Sequence, residues 1–269
     1  MKALEKIYQV ALEAVVEASK EIMDIYNNEF EAIIKEDGSP LTKADLASTK
    51  IIHSHLDPLG IPITGEETDK IDFEIRKNWT QCWCVDPLDG TKEFIKRNGE
   101  FAVNIALIDN GIPIFGIIAS PVNEEIIFGS KETGVFILQF SDLNSPEKWE
   151  SLQVPKSINN PLVMTASRSH GSGPMGDFIT ELEKISSEIE RKSKGSSMKF
   201  FDLARGEVDV YARFAPTMEW DIASGQAILE ALGGNVINVE TGLPLEYNKE
   251  NLLNPFFIAK TKALIELMP

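Results

Sequence analysis

The sequence predicts an α+β fold in which helices cover and separate two sheets. Three observations point there. The first 56 residues carry helical periodicity. Residues 81–140 are short β-rich runs joined by tight turns with no helix between them. Beyond a polar break, strands and helices alternate to the end of the chain.

Leu4, Ile7, Ala11, Ala14, Ala18, Ile22 and Ile25 recur at steps of three or four, one apolar stripe on a long helix. Asp37-Gly38-Ser39-Pro40 breaks the chain, and Thr42 to Leu56 reads as a second helix with Asp45 in its first turn. The runs 81–85, 101–108, 112–118, 125–129 and 134–140 are separated by Asn-Gly, Pro-Val-Asn and Glu-Thr-Gly turns, which favours an antiparallel meander. The polar stretch Ser141 to Glu150 marks a boundary between an N-terminal α+β part, 1–150, and a C-terminal α/β part, 151–269. The second part reads as strand 161–166, helices 175–185 and 197–205, strand 207–212, helix 219–232, and strands 235–239 and 256–260. No internal repeat is present.

The 269 residues carry 42 acidic and 26 basic side chains, a net charge of −16, which excludes a protein that coats a nucleic-acid polymer. The 43% apolar content is that of a globular protein. Two cysteines, Cys82 and Cys84, would point the same way on a strand, so no disulfide framework is expected. The first residues run into a charged helix rather than a signal core, and no apolar run approaches the roughly 18 residues that cross a bilayer. The expected setting is the cytoplasm; peripheral attachment to the inner membrane stays open, although no basic amphipathic face shows.

The densest chemical signal is Val85-Asp86-Pro87-Leu88-Asp89-Gly90-Thr91. An apolar strand ends at Asp86, Pro87 stops its pairing, and Asp89-Gly90-Thr91 opens a short helix to about Lys96. Two carboxylates three residues apart, with a freed carbonyl at Leu88, make an all-oxygen site suited to Mg²⁺. The amides of Gly90 and Thr91 would face an anion at the helix start. The same residues also fit a plain turn with Asp89 as N-cap. Gly65-Glu66-Glu67 at a strand end and Glu219-Trp220-Asp221 in a first helical turn are further acidic sites, although acids there often only complement the helix dipole.

In order, Gly65-Glu66-Glu67, Asp86-Pro87-Leu88-Asp89-Gly90-Thr91 and Trp220-Asp221 with Gly233-Gly234 resemble the Mg²⁺-dependent, lithium-sensitive phosphatases of the inositol monophosphatase superfamily. The resemblance runs from Asp45 to about Phe257. It implies a layered αβαβα sandwich of the inositol monophosphatase/fructose-1,6-bisphosphatase type. It further implies that Glu66, Asp86, the Leu88 carbonyl, Asp89 and Asp221 hold two or three Mg²⁺ ions, and that Thr91, supported by Asp45, orients and deprotonates the attacking water.

Within that superfamily, Ser167-Arg168-Ser169-His170, Gly195-Ser196-Ser197-Met198-Lys199-Phe200 and Tyr211-Ala212-Arg213-Phe214 resemble the CysQ type of 3'(2'),5'-bisphosphate nucleotidase, which converts 3'-phosphoadenosine 5'-phosphate to AMP and phosphate. Inositol monophosphatases tend to carry an acid where this chain has Arg213, and a cation suits a second phosphate better. A bisphosphate needs cations opposite the metals, for which Arg168, Lys199 and Arg213 are candidates. Ser167, His170, Ser197, Gly90, Thr91 and Asp221 complete the expected substrate contacts. Lys199 alone reads more readily as a surface cation. A homodimer is one expected assembly.

Other patterns carry less. Gly171-Ser172-Gly173-Pro174-Met175-Gly176 fits the dinucleotide glycine pattern in letters only, with Pro174 inside the turn. His53 and His55 fall on different helix faces and make a poor metal pair. No Gly-x-Ser-x-Gly elbow is present. An inositol phosphate phosphatase and a non-catalytic nucleotide sensor stay as alternatives; the second has no use for a water-orienting Thr91.

Overall fold

A computed structural model describes residues 4–35, 38, 40–166 and 173–268. The apolar stripe forms α1 (Lys6–Asn27), which buries Ala11, Ala14, Ala18 and Ile22. A hairpin follows, β1 (Ala32–Ile34) with β2 (Pro40–Thr42), and then α2 (Lys43–Leu56). Thr42 caps α2 reciprocally with Asp45: its hydroxyl accepts from Ala44 N at 3.1 Å, and Asp45 Oδ2 accepts from Thr42 N at 2.7 Å.

The first sheet has seven strands in sequence order. They are β3 (Ile63–Gly65), β4 (Gln81–Asp89), β5 (Ala102–Asp109), β6 (Ile112–Ser120), β7 (Glu125–Ser130), β8 (Gly134–Gln139) and β9 (Glu150–Ser151). Between β3 and β5 lie two short helices, α3 (Phe73–Arg76) and α4 (Thr91–Ile95). Only β3 and β4 pair in parallel; the rest form the expected antiparallel meander. The polar stretch before β9 is fastened to this sheet by Trp149, whose ring meets Phe128 edge-on.

The second sheet is mixed, with strands in the order β11-β10-β12-β14-β13. Its elements are β10 (Leu162–Ala166), α5 (Pro174–Glu183), β11 (Ile189–Lys192), α6 (Met198–Arg205), β12 (Val210–Arg213), α7 (Glu219–Ala231), β13 (Asn235–Asn238), β14 (Phe257–Lys260) and α8 (Lys262–Ile265). The strand expected over 207–212 starts at Val210 instead; Asp209 just before it accepts from Val163 N and Asn159 N through its carboxylate. β11 carries the polar sequence Ile-Glu-Arg-Lys at the sheet edge and gave no apolar alternation to read.

Strand alternation builds the layers. Trp83, Val85, Val103 and Ile105 pack on α1 and α2. Cys82, Cys84, Ala102 and Ala106 point the other way, into a core shared by α6, α7 and the second sheet's Tyr211 and Phe257. The far face of the second sheet packs Met164 and Val210 on Met175 and Phe178 of α5. The order is helix, sheet, helix, sheet, helix, as expected. Both cysteines are free and buried. A Cβ at Gly116 would lie 2.2 Å from Ser224 O, so α7 reaches the first sheet only because that strand residue has no side chain. Among the described residues no helix is long and apolar enough to cross a membrane.

Candidate active site

β4 carries the acidic motif on a bulge. Its register with β5 is regular as far as Asp86 opposite Asn104, shifts, and resumes with Asp89 opposite Ala102. The strand therefore does not stop at Pro87, as expected from the sequence. The bulge absorbs the residue that lacks an N–H, and Pro87 O accepts from Ser48 Oγ at 2.7 Å. Leu88 N donates to Asp86 Oδ1 at 3.0 Å. Gly90 then turns the chain at φ +99°, where a Cβ would meet Glu100 O at 3.0 Å, and Thr91 begins α4.

Asp221 arrives from the opposite layer, at the third position of α7, where Met218 N donates to its Oδ2 at 2.8 Å. Carboxylate oxygens of Asp86, Asp89 and Asp221 lie within 4.8 Å of one another. Burial, then the neighbouring carboxylates, hold Asp86 well above the usual range, and burial with Asp89 lifts Asp221 to about 8. Asp89 is raised too, by burial. Glu66, just past β3, adds its charge to Asp86 and Asp221, while its own carboxylate meets Lys35 Nζ at 3.0 Å. Lys35 also pairs with Glu67. Converging buried carboxylates with this much mutual repulsion are what a hard divalent cation relieves, so the donor set fits Mg²⁺.

Thr91 Oγ1 lies 3.0 Å from Asp45 Oδ1 and 3.3 Å from the Leu88 carbonyl. Asp45 is itself buried, which raises its carboxyl despite the hydrogen bonds from Thr42 and Thr91. The hydroxyl and its acceptor are therefore fixed together beside the acidic cluster.

The basic wall comes from the second half of the chain. Ser197 N donates to Asp89 Oδ2 at 2.5 Å. Lys199 is only 5% exposed, which corrects its reading as a surface cation. The stem is buried beside Tyr211, with Nζ donating to Ser196 O at 2.9 Å and standing 5.2 Å over the Tyr211 ring. Burial lowers its pKa to about 8. Arg213 donates from Nε to Ala215 O at 3.2 Å and from Nη2 to Pro216 O at 3.0 Å. Asp89, Ser197, Lys199, Tyr211, Arg213 and Asp221 together line a cleft of about 110 Å³. A larger cavity, about 360 Å³, lies on the other side of Glu66 and contains none of the other expected site residues. Ser167, Arg168 and His170 lie outside the described residues.

Two residues of this neighbourhood were not singled out in the sequence. Lys35 carries no signal beyond being a lysine before a turn. Asn104 does carry one: it is the polar residue in the apolar run Phe101 to Ile108, and a buried strand amide must be bonded to something.

The profile of the inositol monophosphatase family matches residues 3–267. The chain belongs to this family. It is 38% identical over 264 residues to the 3'(2'),5'-bisphosphate nucleotidase CysQ of Escherichia coli (strain K12), covering 94% of this chain and 98% of that protein. The CysQ of Buchnera aphidicola is also 38% identical, over 92% of this chain and 88% of that protein. Among solved structures, CysQ from Bacteroides thetaiotaomicron, described as a bacterial member of the inositol monophosphatase family, superimposes with a TM-score of 0.81 at 40% identity, covering 94% and 96% of the two chains.

Proposed function

We infer that this chain is a Mg²⁺-dependent 3'(2'),5'-bisphosphate nucleotidase that hydrolyses 3'-phosphoadenosine 5'-phosphate to AMP and phosphate. Its relatives named CysQ over nearly the full chain support the assignment. The observation that carries it is a cleft lined by both signs of charge, the carboxylates of Asp89 and Asp221 and the cations of Lys199 and Arg213. A substrate with one phosphate needs only the metal-binding carboxylates; a bisphosphate uses the cations as well. Lithium sensitivity and a role in sulfur assimilation belong with this assignment.

Glu66, Asp86, the Leu88 carbonyl, Asp89 and Asp221 are the groups that would hold Mg²⁺. These four carboxylates and one carbonyl, with water completing each shell, are enough for two or three ions. Bound there, Mg²⁺ supplies positive charge to the phosphoryl oxygens and lowers the pKa of water. The protein's own part is proton handling and orientation. Thr91 Oγ1 accepts a proton from the attacking water while its own passes to Asp45 Oδ1, whose raised pKa suits it to receive one. The water oxygen forms a bond to phosphorus in line with the breaking bond to the ribose 3' oxygen, which takes up a proton from solvent water as it leaves, and Asp45 later returns its proton to solvent. No covalent enzyme intermediate forms. Lys199 and Arg213, with Arg168, hold the 5'-phosphate and so place the ribose against the acidic wall.

In this reading residues 1–150 supply Asp45, Glu66, Asp86, Asp89 and Thr91, and residues 151–269 supply the phosphate-binding cations and Asp221. A cytoplasmic setting accords with two free cysteines. The test is Arg213→Ala. It should cost about 2 kcal/mol in kcat/KM on the bisphosphate, roughly thirtyfold, the loss expected of a charged hydrogen bond, and much less on 3'-AMP. Equal losses on both substrates would remove Arg213 from the phosphate site.

A further inference from the structure

Asn104 sits on β5 with none of its surface exposed, in a layer otherwise filled by Ala102, Ala106 and Ile118. An amide in such surroundings costs stability unless both its ends are bonded. Both are. Nδ2 donates to Asp89 Oδ2 at 3.1 Å, and Oδ1 accepts from Ser197 Oγ at 2.7 Å. Ser197 closes the ring by donating its backbone N–H to the same Asp89 oxygen at 2.5 Å. Three segments meet there: the bulge of β4 with its acidic motif, the centre of the first sheet, and the residue that starts α6. Lys199 is the second residue of α6, so whatever fixes Ser197 also fixes the ammonium on the basic wall.

We propose that Asn104 is a positioning residue that couples cation binding at Asp89 to phosphate binding at Lys199, through Ser197. The proposal rests on the nucleotidase reading for the identity of the ligand. Among the described residues both protein hydrogen bonds to Asp89 fall on Oδ2 and none on Oδ1. A cation that fixes the Asp89 carboxylate fixes Oδ2 as well, and the ring carries that order to the start of α6. Part of the cost of ordering the phosphate site is then met before the nucleotide arrives. By linkage the effect is mutual: a phosphate held by Lys199 strengthens cation binding by the same factor. Without Asn104 the ring opens, and Ser197 Oγ and Asp89 Oδ2 each lose a partner.

AMP is the probe, because it carries the phosphate that is not cleaved and lacks the one that faces the acidic wall. Its affinity for the full chain is measured by titration calorimetry with and without Mg²⁺, for wild type, Asn104→Leu and Asn104→Ser. Circular dichroism and a thermal melt of each variant accompany the titrations. Mg²⁺ should tighten AMP binding to wild type on the order of tenfold, within the usual span of coupling between sites. Asn104→Leu, similar in size and unable to hydrogen-bond, should lose most of that gain while AMP binding without Mg²⁺ changes less than about twofold. Asn104→Ser keeps one hydroxyl and should fall between. An undiminished Mg²⁺ gain in Asn104→Leu overturns the proposal, as does a wild type in which Mg²⁺ leaves AMP affinity unchanged. If Asn104→Leu fails to fold, Asn104→Ser decides by the same criterion. Turnover of 3'-phosphoadenosine 5'-phosphate by wild type is followed in parallel. Loss of that activity withdraws the nucleotide reading, whereas unchanged linkage beside normal turnover removes only the role of Asn104.

Discussion

Thr91 Oγ1 and Asp45 Oδ1 are 3.0 Å apart, joined across 46 residues of sequence. The capping box of α2 holds Asp45 in place through Thr42, and the turn at Gly90 presents Thr91 to it. A carboxylate that caps one helix thereby becomes the hydrogen-bond acceptor for the first residue of another. Thr91→Ala should lower kcat by roughly 10²- to 10⁴-fold, the usual worth of a positioned general base, with KM little changed. Steady-state kinetics decide it; a loss confined to KM would make Thr91 a phosphate anchor instead.

Protons compete with cations at the acidic cluster. Asp86, Asp89 and Asp221 have their pKa values raised by burial and mutual repulsion, Asp221 to about 8. An acid whose folded pKa lies above its unfolded value favours the folded state most below the unfolded pKa, and that contribution is lost as pH rises through the folded one. Metal-free protein should therefore lose thermal stability between about pH 5 and pH 8. The rise in melting temperature on adding Mg²⁺ should be larger at pH 8 than at pH 6. Melting curves at the two values, with and without Mg²⁺, check both signs.

Lys199 should set the alkaline limb of bisphosphate binding. Its pKa is lowered to about 8, so the ammonium is present below that pH and lost above it. KM for the bisphosphate should rise as pH increases through 8 to 9 while kcat holds. Lys199→Arg, whose guanidinium stays charged, should flatten that rise. A pH profile of KM for both proteins is the measurement, and an identical alkaline rise in both would place the titration elsewhere.

A buried ion pair braces the start of α7. Glu219 is 1% exposed and accepts from Asn248 N at 2.6 Å, Lys249 N at 3.1 Å and Lys249 Nζ at 2.5 Å. Lys249→Met leaves that carboxylate with backbone donors but no counter-charge, at a cost of about 2 kcal/mol, below the full value for a buried pair because Lys249 is partly exposed. The melting temperature should fall by about 5 °C. Adding Glu219→Gln should recover part of the loss, since the stranded charge goes with it.

Much of this was legible in the sequence where one pattern had one physical meaning. The apolar stripe of α1 and the meander from Gln81 each fixed local structure with little help from distant residues, whereas Pro87 read as a strand end because the bulge that carries β4 on to Asp89 depends on its pairing with β5. Lys199 was misread because a lone lysine on an acidic chain gives no sign of burial; the Tyr211 ring that covers its stem lies 12 residues on and meets it only through packing. The hairpin β1–β2 and the polar edge strand β11 left no alternation to read. Asn104 was visible as a polar residue in an apolar strand, but its partners Asp89 and Ser197 converge on it only in three dimensions.

A cleft lined by Asp89 and Asp221 together with Lys199 and Arg213 should select a substrate with two phosphates. Phosphate release by the wild-type protein with Mg²⁺, compared between 3'-phosphoadenosine 5'-phosphate and inositol 1-phosphate, tests it most directly. The kcat/KM for the bisphosphate should be higher on the order of 10²-fold or more, since two charged contacts at about 1.5 to 2 kcal/mol each distinguish the substrates. Equal specificity constants, or a preference for inositol 1-phosphate, would contradict it.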